Sequence, residues 1–103
     1  MSMIDPTRVR REALRWLVLL VLNNARPIGA FEGPVLSVAQ AEYPDATALE
    51  LRRELEYLAE RALIRLDKQP GGRWFAQLTR HGTDLAEYTV DCEPGIARPA
   101  KYW

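Results

Sequence analysis

Three cations crowd one tight turn. Arg65, Lys68 and Arg73 bracket Pro70-Gly71-Gly72, and Asp67 is the counter-charge among them. Cations beside a flexible glycine tip suit contact with a phosphate backbone, where affinity comes from displaced counterions. Just upstream, Leu51, Leu55, Leu58 and Ala62 recur at the 3.6-residue period of a helix. The side opposite that stripe is expected to carry Leu49, Glu50, Arg53, Glu56, Tyr57 and Glu60. Glu50, Arg53 and Tyr57 are groups of the kind that read base edges: carboxylates accept from cytosine, arginines donate to guanine. The same segment, Ala46–Ile64, holds four Glu against three Arg. Several carboxylates on one face repel phosphates, so a solvated helix laced with ion pairs accounts for the face as well as DNA reading does.

Catalytic chemistry finds little footing. His81 and Cys92 are the single histidine and cysteine, and a Cys–His pair needs an orienting group and an oxyanion donor. His81 and Asp84 stand three apart on one helix, but a zinc site wants three or four ligands. Gly29, Gly33 and Gly71-Gly72 lack the spacing of a phosphate-cradling loop. The expectation is a protein that is no enzyme and has no cofactor or metal, with His81 at the surface.

The chain has 103 residues, 14 Lys plus Arg and 14 Asp plus Glu, giving a net charge of zero. One domain of ordinary globular composition fits that length. The balance excludes a broadly polycationic binder, so any nucleic-acid contact must come from where the charges sit. A lone cysteine cannot form an intramolecular disulfide, which suits the cytoplasm. The polar stretch Met1–Arg15 does not read as a signal peptide, and the apolar run Trp16–Leu22 is too short to span a bilayer. No membrane partner is expected.

These residues need elements to position them. Asp5-Pro6 should open a helix running to Asn24, with Arg8, Arg10, Arg11 and Arg15 in its first half. Its second half, Trp16–Leu22, is apolar on every side and should be buried or packed on a second copy. Further helices are expected near 34–42, 46–61 and 80–88, with Thr47 and Glu50 at capping-box spacing. A hairpin should span 64–78, and a short third strand near Ile28–Phe31 could pair with its edge. Residues 91–103, with Pro94, Gly95 and Pro99, read as an extended tail on a domain covering 1–90. That tail should pack on the domain or on a dimer partner. Leu51, Leu55, Leu58, Leu63, Leu78 and Leu85 are the expected core, and one of Trp74 and Phe75 should join it.

Helix, strand, tight turn, strand, helix is the order of the second half of a winged helix-turn-helix. The chain resembles winged-helix transcriptional regulators of the arsenic-repressor-like and multiple-antibiotic-resistance-repressor-like groups. The motifs are Leu55-Glu-Tyr-Leu58-Ala-Glu-Arg-Ala62-Leu63-Ile64 and Leu78-Thr79-Arg80-His81-Gly82. Ala62 stands where the family usually has glycine, which implies a less sharply turned helix end. The paired cysteines of metal-sensing members are missing. The tail Cys92-Glu-Pro-Gly-Ile-Ala-Arg-Pro is similar to that of a small winged-helix protein of Mu-like transposable phages and prophages.

The resemblance implies an α+β fold of about four helices with a two- to three-stranded wing. It also implies a dimeric DNA-binding regulator or phage accessory factor, its third helix in the major groove and its wing on the backbone. Glu50, Arg53, Tyr57, Arg65, Lys68 and Arg73 are the expected contacts to double-stranded DNA, with Arg8 and Arg11 as further phosphate ligands. Dimerisation is expected through Trp16–Leu22 and the aromatic end of the tail. The alternative is a winged helix that binds another protein and not DNA, which zero net charge and an acidic third helix favour.

Overall fold

A computed structural model describes residues 4–103; the first three residues of the expected 1–90 domain and of the Met1–Arg15 stretch lie outside the described residues. The elements run α1 (Pro6–Asn24), β1 (Ala30–Phe31), α2 (Glu32–Glu42), α3 (Ala48–Glu60), β2 (Ile64–Lys68), β3 (Trp74–Leu78) and α4 (Arg80–Ala86). The strands form one antiparallel sheet in the order β1-β3-β2. This is a winged helix: a three-helix body, a hairpin wing and a closing fourth helix.

Local chemistry sets each boundary. The Asp5 carboxylate accepts from the Thr7 amide at 3.0 Å, and Pro6 follows at the first helical position. α2 begins at Glu32, two residues earlier than the Gly33-Pro34 signal suggests. A proline in the first turn has no amide that the helix would miss, so it marks the turn and not the first residue. Thr47 caps α3 by accepting from the Glu50 amide at 3.2 Å.

α3 stops sharply despite lacking glycine. Ala62 adopts φ 59°, the left-handed conformation glycine usually supplies. The Leu63 amide then donates to Leu58 O and the Ala62 amide to Ala59 O, both at 3.0 Å. This pair of bonds is a Schellman cap, and buried Leu63 and Leu58 supply its apolar contact. The expected softer turn is corrected: interactions around Ala62 offset the cost of its φ. Thr79 Oγ1 donates to Ala62 O at 2.6 Å, tying that cap to the start of α4. Gly82 sits where a Cβ would come within 2.0 Å of Leu63 O, which explains its place in the Leu-Thr-x-x-Gly motif. α4 ends two residues before Tyr88 because Tyr88 turns left-handed at φ 63°.

The core draws on α1, α2, α3, α4, the sheet and the tail. Leu51, Leu55, Leu58, Leu63 and Leu85 are buried as expected, whereas Leu78 at the end of β3 is half-buried. Within Trp16–Leu22 only Val18, Leu19 and Leu22 are buried, and Leu20 is exposed. The expectation of burial all round is corrected: the neighbouring elements wrap one side of α1, and the opposite side stays open.

Pairing of Ile64 with Leu78, Leu66 with Ala76 and Lys68 with Trp74 puts these residues on the inner sheet face. Arg65, Asp67, Phe75 and Gln77 occupy the outer face. Trp74 and Phe75 are both half-buried, so neither is a full core residue. Trp74 lies on the α3 side; Phe75 packs edge-on against Phe31, centroids 4.8 Å apart.

The segment after α4 has no regular structure yet is firmly docked. Ile96 is 7% exposed and belongs to the core cluster. The Ala97 amide donates to Glu12 O at 3.1 Å. The Arg98 guanidinium donates to Leu85 O and Val90 O, at 2.9 and 2.8 Å, satisfying a carbonyl at the end of α4. Tyr102 and Trp103 remain exposed, although the Trp103 ring meets Tyr88 edge-on at 4.9 Å.

Candidate nucleic-acid interface

In a helix-turn-helix, α2 and the turn Tyr43–Thr47 support α3, whose outward side is the presentation face. The Ala46 amide donates to Tyr43 O at 2.9 Å, and Gln40 Nε2 donates to Ala46 O at 3.0 Å. These bonds fix the turn and hence the direction in which α3 projects.

The flank of α3 that meets α1 is internally neutralised. Arg10 donates to both Glu50 oxygens at 2.7 and 2.8 Å and to Asp45 at 2.9 Å. The Asp45 carboxyl is held below its usual pKa range by the Arg10 hydrogen bond, and Arg10 is pushed up in return, first by its bond to Glu50. One turn on, Arg15 donates to Glu54 at 2.8 Å in a pair 11% and 3% exposed. The Tyr57 ring lies between two guanidinium groups, Arg15 at 3.4 Å and Arg61 at 3.6 Å from its centroid. Arg15 also donates to Gly95 O at 2.8 Å, so this stack joins α1, α3 and the tail.

Glu50 and Tyr57 were expected on the outward side and are turned toward α1. The correction has a simple geometric cause. Both lie about a third of a turn from the apolar stripe, and long arginines from α1 reach that flank before solvent can claim it.

The outward side itself carries Leu49, Arg53, Glu56 and Glu60, all exposed. Among the described residues Arg53 forms no hydrogen bond or ion pair. Glu56 accepts from Lys68 at 2.9 Å. Glu56, Glu60 and Lys68 line an open cleft of about 310 Å³ between α3 and β2, with Ala59 and Leu66 at its floor. The first half of the presentation face is therefore cationic and the second half acidic.

The wing-side flank is organised by a residue the sequence reading passed over. Arg52 donates Nε to Glu32 at 2.7 Å, makes a second bond to the same carboxylate through Nη2, and reaches Gly72 O at 2.6 Å. Its guanidinium lies 4.4 Å from the Trp74 ring centroid, and Lys68 Nζ lies 4.6 Å from the same ring. The Glu32 carboxylate also accepts from the Trp74 amide at 3.3 Å. Arg52, and then the Trp74 amide, hold the Glu32 carboxyl below its usual range despite partial burial. Nothing local marks this pair: Glu32 and Arg52 are 20 positions apart, and only the packing of α2 against α3 joins them.

Of the six expected contacts, the structure brings Arg53 and Lys68 onto the α3–wing side. Arg65 and Arg73 belong to the outer sheet face, Arg65 exposed and Arg73 stacked 3.8 Å from the Phe31 centroid. Arg8 pairs with Glu12 at 2.8 Å. His81 is exposed, and Cys92 is half-buried with its thiol pushed up by burial. Among the described residues no group of three His, Cys, Asp or Glu could hold a metal, and no helix is long and apolar enough to cross a membrane.

The chain matches no family model and no curated protein. A crystal structure of a candidate DNA-binding protein from Ralstonia eutropha JMP134 is similar to it, with a TM-score of 0.63 and 27% identity. That similarity covers 86% of this chain and 100% of the neighbour.

Proposed function

We propose that this protein is a cytoplasmic DNA-binding winged-helix factor, a transcriptional regulator or phage accessory protein, that acts as a homodimer. α3 approaches the major groove by its first half, and the wing contacts the phosphate backbone. The observation that carries this reading is Arg53, an exposed arginine with no internal partner on the presentation face of a winged helix. Lys68, Arg73 and Arg65 supply charge on the adjoining hairpin. The similarity to a candidate DNA-binding protein supports the same direction.

The geometry narrows the expected contacts. Glu50 and Tyr57 are held by Arg10 and Arg15 and would enter a groove only by giving up those contacts. Base reading therefore falls mainly to Arg53, with Leu49 beside it to meet a thymine methyl. Glu56 and Glu60 keep the second half of α3 away from phosphates, which predicts modest affinity.

The second copy is proposed to dock on α1. Exposed Val9 and Leu20 and half-buried Ala13, Trp16 and Leu17 follow at helical spacing along it, with no charged residue among them. Trp16 packs on Tyr88, and Tyr88 on Trp103, which extends the apolar surface to the tail. A two-fold contact through this stripe would pair two presentation faces for two half-sites. Sedimentation of the wild type and Leu20→Glu tests it: the wild type should be a dimer and the variant a monomer. A monomeric wild type at tens of micromolar would remove the homodimer.

The competing reading, a protein-interaction module, draws on the exposed carboxylates Glu56 and Glu60 and the zero net charge. Titration of labelled random and genomic duplexes at low salt separates the two. Binding that weakens with salt supports DNA; a folded sample that binds no duplex leaves the interaction module.

A further inference from the structure

We infer that Glu32 is a positioning residue for DNA recognition: with Arg52 it clamps the wing to α3, although a carboxylate has the wrong charge to touch DNA. The inference rests on the DNA-binding reading for its functional half and on the geometry alone for its mechanical half.

The other side-chain anchors of the distal wing are Lys68, which donates to Glu56 at 2.9 Å, and the Arg73 guanidinium, 3.8 Å from the Phe31 centroid. Asp67, Lys68 and Pro70 to Arg73 are exposed, and a Cβ built at Gly71 or Gly72 would meet nothing within 4 Å. Without apolar packing, the direction of the tip depends on polar anchors. Two of them run through the clamp: Arg52 to Gly72 O at 2.6 Å, and the Trp74 amide to Glu32 at 3.3 Å. The fork of Arg52 against both Glu32 oxygens fixes the guanidinium plane, so the third bond is aimed at the tip. Glu32 and Arg52 side chains are 16% and 32% exposed, more sheltered than the Lys68–Glu56 pair at 53% and 48%. The clamp thus joins the first turn of α2, the first half of α3 and the β3 side of the wing turn. Arg53, next along α3, and Lys68 and Arg73 on the hairpin are then held at a fixed separation. A fixed separation matters because phosphates on a duplex are regularly spaced, and loosely tethered cations must be ordered on binding.

Glu32→Gln gives the test its sign. Removing a negative charge beside Arg52 should tighten DNA binding if only the field matters. The clamp predicts the reverse, affinity about tenfold weaker, with the salt slope unchanged because no phosphate contact is lost. Arg52→Lys, which keeps the charge and loses the fork, should weaken binding in the same way. Backbone 15N relaxation of the free protein reads the mechanics directly. Order parameters at Gly72, Arg73 and Trp74 should fall from about 0.85 to below about 0.6 in both variants, while α3 stays rigid. Unchanged order parameters overturn the clamp whatever DNA does. A loosened wing with equal or tighter binding overturns the positioning role. If the wild type binds no duplex, the DNA reading fails, the positioning role falls with it, and the relaxation data alone decide whether the clamp holds the wing.

Discussion

The two flanks of α3 use the same residue types to opposite ends. On the α1 side, Arg10, Arg15 and Arg61 meet Glu50, Glu54, Asp45 and Tyr57, and little charge is left for a ligand. On the wing side, Arg52 is anchored by one carboxylate and Lys68 by another, while Arg53 stands without an internal partner among the described residues. A count of cations alone would rank the flanks equally. The difference lies in what each neighbour presents: α1 offers arginines that neutralise the side chains facing it, whereas the strands pack on α3 through Ile64 and Leu66 and bring to its polar edge the Lys68 that pairs with Glu56. An arginine next to a helix is therefore evidence of a binding face only after its internal partners have been found.

The sharpest way to break this contrast is to strip the α1 flank of its buried cation. Arg15→Met leaves Glu54 at 3% exposure without its partner, and should cost about 3–5 kcal/mol, the range for orphaning a buried charge. Urea unfolding measures it, and adding Glu54→Leu should recover much of the loss. A cost below about 1 kcal/mol would mean that water already solvates the pair.

The tail belongs to the same flank. Ile96→Ala should destabilise by about 2–5 kcal/mol, as for other emptied core sites. A melting temperature unchanged from the wild type would show that the tail is an appendage and not part of the core.

How much of this contrast was legible in the sequence follows from range. Helix periods and caps are local, so α1, α3 and the hairpin could be read almost to the residue. The start of α2 was missed because a proline in a first turn looks like a beginning. Glu50 and Tyr57 were misplaced because a single helical wheel shows which residues leave the core, not which arginine of another helix waits there. The Glu32–Arg52–Trp74 contacts had no sequence signal, since they join three segments separated by about 20 residues each.

On the wing side, Arg53→Ala should weaken a preferred site by about 1–3 kcal/mol and leave random DNA nearly untouched. Arg10→Ala should do the opposite, lowering the melting temperature while leaving both affinities alone. If the two variants behaved alike in binding, the flanks would not differ as described.

A smaller effect concerns acid. Arg52 keeps the folded pKa of Glu32 below its ordinary value of 4.5. A depressed carboxylate contributes stability in full above that ordinary value and loses it as pH falls toward the folded pKa. Wild-type stability should therefore drop below about pH 4.5, and Glu32→Gln should flatten that drop. Parallel profiles for the two proteins would show that the clamp contributes no net stability.

The claim that the wing contacts the phosphate backbone is tested most directly by the salt dependence of duplex binding, wild type against Lys68→Ala/Arg73→Ala. Each lost phosphate contact reduces the slope of log affinity against log salt by about 0.9. The account predicts that the wild type binds at low salt and that the double variant binds all sequences more weakly, with a slope nearly two units shallower. A folded wild type that binds no duplex, or a slope the double substitution leaves unchanged, would contradict it.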